Sequence, residues 1–171
     1  INRGNSGGPL FNLQGEVVGL VADVIGGPAG IGGIGVAVPG GLVAQSIADL
    51  ERFGVPQRGW LGASLISLDE LPPVLLRAVG LTSTQGAMVD RVEPGSPAAR
   101  AGLKGAQRDT QGRLLALGDV ILAVDGVAVK DKADVVRLVA QRRPGDRVRL
   151  TLWRDRRRLE VTVVLMARPR E

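Results

Sequence analysis

"RGNSGGPL", residues 3–10, sets one serine among glycines and runs at once into an apolar stretch. Glycine lacks the Cβ that crowds left-handed backbone, so Gly4, Gly7 and Gly8 permit a tight loop around Ser6. Such a loop can aim the amides of Gly4 and Ser6 into one hollow, the geometry that holds an oxyanion. A bare G-x-S-x-G is often no more than a Gly-Ser turn. Seven residues in order, opening onto a strand, are far more specific. Yet the 171 residues contain no histidine, the base that removes a serine proton near neutral pH. Ser6 therefore reads as a nucleophile whose base lies outside this sequence.

Downstream, residues 9–13 and 16–24 read as two apolar strands around a turn at Gln14-Gly15. "IGGPAGIGG", 25–33, reads as a loop, and "IGVAVP", 34–39, as a third strand closed by Pro39. Residues 42–53 place apolar groups at helical spacing, with Gly54 as the stop. Three strands and a helix are too little for an independent two-sided core. Residues 1–57 are therefore expected to be the tail of a larger β domain. "GIGGIG", 30–35, matches a dinucleotide-binding pattern, but it opens a strand rather than a helix, so no nucleotide site is expected.

A second unit is expected over 58–171. Short strands read at 61–66, 87–92, 120–124, 147–153 and 159–165. "SPAARAG" gives a helix with Ser96 as N-cap and Pro97 at its first position. "KADVVRLVAQRR", 132–143, gives a second helix with Val135, Leu138 and Val139 on one face. Residues 104–117 interrupt the pattern as an insertion, with a turn at 109–112. A compact α+β domain or a small, partly open barrel follows.

Composition narrows the chemistry. Apolar residues make up 44% and charged residues 23%, as in a globular protein. There is no cysteine, hence no disulfide framework and no thiolate zinc site. No cofactor and no metal are expected. No apolar run is long enough to cross a bilayer as a helix. The net charge of +5 is uneven: residues 1–57 carry −2 and the remainder +7. Arg outnumbers Lys 19 to 3, which reads as compositional bias. With only two Trp, two Phe and no Tyr, there is no stacking platform for nucleic acid, and no specific nucleic-acid partner is expected.

The stretch "INRGNSGGPLFNLQGEVVGL…GIGVAVP" resembles the last part of the protease domain of the HtrA/Deg family of trypsin-like serine proteases. "GWLGA" at 59–63, "GAMVDRVEPGSPAARAGL" at 86–103 and "LGDVILAVDGVAV" at 117–129 resemble the circularly permuted PDZ domain of the same family. The resemblance implies a mainly β fold with α: an incomplete chymotrypsin-like β-barrel segment followed by one PDZ domain. It implies that Ser6 is the nucleophile and that Gly4 helps form the oxyanion hole. Ile1, Leu20, Val21 and Ala22 would wall the substrate pocket, although Val-Ala-Asp follows Leu20 where the family often has Asn-Thr-Ala. In the PDZ part it implies peptide binding by Trp60, Leu61, Gly62 and Ala63, with Val135, Leu138 and Val139 as pocket residues. The implied role is an ATP-independent endopeptidase of protein quality control in the cell envelope or periplasm. Its implied partners are misfolded proteins and peptide C-termini, and its full-length form a homo-oligomer. The chain by itself is expected to be inactive. The competing expectation is a peptide-binding module with a vestigial protease segment.

Overall fold

The computed structural model describes residues 1–2, 4–26 and 33–169 and divides the chain into two compact units, Ile1–Gln57 and Arg58–Glu171. In the first, β1 (Pro9–Phe11), β2 (Val17–Ile25) and β3 (Ile34–Pro39) form an open antiparallel sheet with β2 central, followed by α1 (Gly40–Phe53). Asn12 makes the β1–β2 turn, its Oδ1 accepting the amides of Gln14 at 3.0 Å and Glu16 at 2.9 Å. Gly54, at φ 71°, ends α1 by donating its N–H to Leu50 O at 2.9 Å, a left-handed cap that glycine adopts without strain. The loop expected over 25–33 and the glycine pattern over 30–35 lie largely outside the described residues.

In the second unit β4 (Gly59–Trp60) precedes β5 (Ala63–Ser67), a single 3-10 turn at Leu68–Glu70 and α2 (Pro73–Ala78). Next come β6 (Ala87–Val92), α3 (Pro97–Arg100), and a small hairpin of β7 (Gln107–Arg108) and β8 (Leu114–Ala116). β9 (Val120–Val124), β10 (Val127–Ala128), α4 (Lys132–Ala140), β11 (Arg147–Arg154), β12 (Arg157–Val164) and β13 (Met166–Ala167) complete it. The main sheet runs β12-β11-β9-β6-β5, with β10 on β9, so β5 is an edge. Side chains alternate between its faces. Ala87, Val89, Ile121 and Val124 pack under α3 and α4, while Met88 and Val120 pack against Leu68, Leu76 and Leu81.

Two readings of the sequence need adjustment. The strand expected at 61–66 begins only at Ala63, because Gly62 takes φ 74° and turns the chain. The helix expected over 132–143 stops at Ala140. α2 was not foreseen, since six residues behind a proline pair show too little periodicity. The insertion is no loose excursion: Asp109 Oδ1 accepts the amides of Gln111 at 3.0 Å and Arg113 at 2.8 Å, closing the β7–β8 turn.

Candidate functional site

Ser6 is exposed in a turn whose ends are held from both sides. Gly8 N–H donates to Asn5 O at 2.9 Å across Ser6-Gly7, and Gly7 takes φ 85°. A β-turn with a left-handed third residue calls for glycine there. Gly7 N–H then donates to Val21 O at 2.8 Å, and Val21 N–H to Gly8 O at 2.9 Å. The serine loop is thus stitched to the central strand. Upstream, Asn5 Oδ1 accepts the Asn2 amide at 2.8 Å, and Gly4 takes φ 100°.

The other residues expected near Ser6 lie on the same sheet. Leu20 pairs with Pro9 and Val38, Val21 is buried, and Ala22 is skipped where the β2–β3 register shifts. Ile1 lies over Gly35, where a Cβ would stand 2.7 Å from Ile1 Cδ1. The arrangement presents a hydroxyl on a rigid turn. It lacks an imidazole, since the sequence has none, and among the described residues no cluster suits a metal.

The second site is built by Trp60–Ala63. Leu61 O accepts the Ala98 amide at 2.9 Å, and Gly62 O accepts the Glu93 amide at 2.9 Å. In a trans peptide the following N–H points opposite to the carbonyl. Hence the amides of Gly62 and Ala63 both point away from the 93–98 segment, as two donors on one side. Gly62 has no room for a side chain, because a Cβ would collide with Ser96 Cβ. The half-buried Trp60 ring also packs on Gly62. Ser96 is buried and caps α3 by accepting the Ala99 amide at 3.2 Å. Its support of the loop was not read from the sequence, where it signalled only a helix start.

The edge of β5 continues these donors. Gly62 O and the Leu68 amide, which bonds Gly86 O at 3.1 Å, both face β6. By strand alternation the backbone groups of Ala63 and Leu65 face the open edge. Beside this edge lies α4, pinned at both ends. Lys132 N–H donates to Ser67 Oγ at 3.2 Å and Lys132 Nζ pairs with Glu70 at 2.7 Å. That ammonium holds the Glu70 carboxyl below its ordinary range. At the far end Gly59 N–H donates to Arg142 O at 2.7 Å.

The pins show which flank of α4 faces β5. Lys132, Val136 and Val139 share one flank by helical spacing, and Lys132 touches the end of β5. Val139 O lies 2.7 Å from where a Gly59 Cβ would stand. Val135 and Val139 are nearly fully buried among the core residues, together with Leu61. Leu138, partly buried, shares the opposite flank with Asp134, whose carboxylate accepts the Lys130 amide at 3.1 Å. Val136, 60% exposed, is the apolar side chain left on the β5 flank. The sequence singled out 135, 138 and 139 because periodicity marks a buried face without saying what adjoins its margins.

The PDZ domain family matches residues 59–165. Over all 171 residues the chain is 34% identical to the "Probable periplasmic serine endoprotease DegP-like" of Brucella suis, covering 30% of that protein. Over 155 residues, 91% of this chain, it is 37% identical to the Rhizobium meliloti protein of the same name and covers 28% of it. Among solved structures, "HtrA-type protease AlgW with decapeptide" aligns with a TM-score of 0.70 at 32% identity, covering 100% of this chain and 48% of that one. The serine endoprotease from Yersinia pestis aligns with a TM-score of 0.61 at 28% identity, covering 99% and 50%. The chain spans less than a third of these curated relatives and about half of each solved chain. It belongs to the PDZ domain family, and over its whole length it is similar to HtrA-type and DegP-like serine endoproteases.

Proposed function

We propose that this chain is a portion of an HtrA/DegP-like serine endopeptidase that handles misfolded proteins in the cell envelope. Residues 1–57 are the end of the trypsin-like domain and 58–171 its PDZ domain. The observation that carries this reading is the Ser6 turn: an exposed serine between left-handed glycines, bonded through Gly7 and Gly8 to Val21. In this reading Ser6 Oγ attacks the scissile carbonyl while an imidazole supplied from outside these residues takes its proton. The amides of Gly4 and Ser6 receive the oxyanion. Ile1 and Leu20–Ala22 shape the pocket beside it.

The PDZ part then recognises C-termini. The Gly62 and Ala63 amides hold the terminal carboxylate, β5 accepts the peptide as an added strand, and Val136 with Val135 and Val139 receives its last side chain. Substrate or regulator C-termini are the proposed ligands, and the full-length protein is proposed to act as a homo-oligomer. Treating the native protein from its own cell with a fluorophosphonate, then mapping the modified peptide, tests the proposal. Label on Ser6 is the expected result, with none on this 171-residue chain alone. An unlabelled Ser6 in the native protein would leave a peptide-binding module with a vestigial protease segment.

A further inference from the structure

A cavity of about 550 Å³ opens in the second unit and shares no lining residue with the β5–α4 groove. Leu115 and Leu117, in and after β8, form one wall. Val79, at the end of α2, and Trp153 form another. Lys104 and Arg156 line it as well. The insertion at 104–117, without a role so far, is what encloses this space.

The enclosure is braced. Arg108 on β7 reaches Asp90 on β6, with Nε at 3.2 Å and its terminal nitrogen at 2.5 Å, so the hairpin is tied to the main sheet. Lys104 and Asp119 are joined twice: Asp119 N–H donates to Lys104 O at 2.9 Å and Lys104 N–H to Asp119 Oδ2 at 2.8 Å. Trp153 Nε1 donates to Val79 O at 3.0 Å, which fixes the ring in the wall. At 550 Å³ the space falls in the range of small-molecule sites, roughly 300–1,000 Å³.

Packing leaves three features of this space unexplained. Leu115 is 67% exposed although it belongs to a braced strand. Lys104 enters no ion pair among the described residues. Arg156 takes φ 60° in the two-residue turn Asp155-Arg156, a position that favours glycine. Its guanidinium donates to Ala78 O at 2.9 Å, which carries the positive charge to the cavity lining. Arg154 holds both oxygens of Asp119 at 2.6 Å, and with Asp155 also in the lining, three cations there face two carboxylates. Apolar side chains on two sides and one surplus positive charge complement a ligand of one anionic head and one apolar tail.

We propose that this cavity binds a medium-chain anionic amphiphile, its tail between Leu115, Leu117, Val79 and Trp153 and its carboxylate on Lys104 and Arg156. The inference stands apart from the proposed protease activity. To test it, the 171-residue chain, labelled with 15N, is titrated with dodecanoate below its micelle threshold and, separately, with dodecanol. Saturable shifts at Leu115, Leu117, Val79 and the Trp153 indole are expected, with dodecanol binding more weakly. Lys104→Gln and Arg156→Gly should each weaken dodecanoate about tenfold, as loss of one charge-assisted hydrogen bond requires, and leave dodecanol unchanged. Glycine suits the turn, so Arg156→Gly keeps the fold. Absence of saturable binding, shifts confined to Leu61–Leu65, or variants that bind dodecanoate as wild type would each overturn the proposal.

Discussion

The two units treat their apolar residues in opposite ways. Among the described residues of Ile1–Gln57, Val21 is the one buried hydrophobic, while Leu13, Ile34, Ile25 and Phe11 are all more than half exposed. In the second unit Leu68, Met88, Ile121 and Leu150 are fully enclosed. Exposed apolar surface on this scale marks a face built to be covered. The contrast teaches that the second unit carries its own stability and binding groove. The first carries an exposed serine on a sheet that cannot bury itself, which supports the proposal that it completes a larger domain.

The contrast breaks most visibly at the buried ion pair. Asp119 is 1% exposed and is held by Arg154 through both oxygens. Asp119→Ala leaves a guanidinium beside a void and should cost the second unit about 3–5 kcal/mol. Urea unfolding followed by tryptophan fluorescence measures it. Next in size is a direct comparison of leucines. Leu150→Ala in the enclosed core should cost about 2–5 kcal/mol. Leu13→Ala, at a fully exposed position, should stay within roughly 0.5 kcal/mol. Equal effects at the two leucines would erase the distinction between the units.

Gly62→Ala sharpens the comparison at the proposed binding site. The added Cβ meets Ser96 and the backbone stands at φ 74°, so the two loop amides lose their alignment. Affinity for a free C-terminus should fall about tenfold or more, the worth of a charge-assisted hydrogen bond. Calorimetry reads the loss. The smallest effect is acid sensitivity around α4. The carboxyls of Glu70 and Asp134 lie below their ordinary values of 4.5 and 3.8, held chiefly by hydrogen bonds from Lys132 and Arg137. Depressed folded-state values mean that the contribution is complete above those ordinary values and fades as pH falls through the folded ones. Glu70 is exposed and Asp134 half-buried, and a melting curve should shift little above pH 5 and fall only in more acid solution. Glu70→Gln should remove its share of that acid dependence.

Much of this was legible in the sequence, for identifiable reasons. β6 and β9 match the strands read at 87–92 and 120–124, since their apolar runs are bounded by turn residues. Ser96-Pro97 pairs an N-cap residue with a first-turn proline, and α3 begins there. The glycines around Ser6 foretold a tight loop, because left-handed backbone leaves few alternatives. Other features depend on contacts far along the chain. That Ser96 supports Gly62, or that Val136 rather than Leu138 adjoins β5, follows from which element lies alongside, and no local pattern encodes it. The β7–β8 hairpin has strands too short to show alternation, so the insertion read only as a turn.

In the proposed function the second unit reads a chain terminus through the Gly62 and Ala63 amides. Titrating the 171-residue chain with one peptide ending in a small apolar residue, as free acid and as C-terminal amide, tests it most directly. The acid should bind and the amide should lose most of that affinity. Equal affinity of the two forms would contradict it.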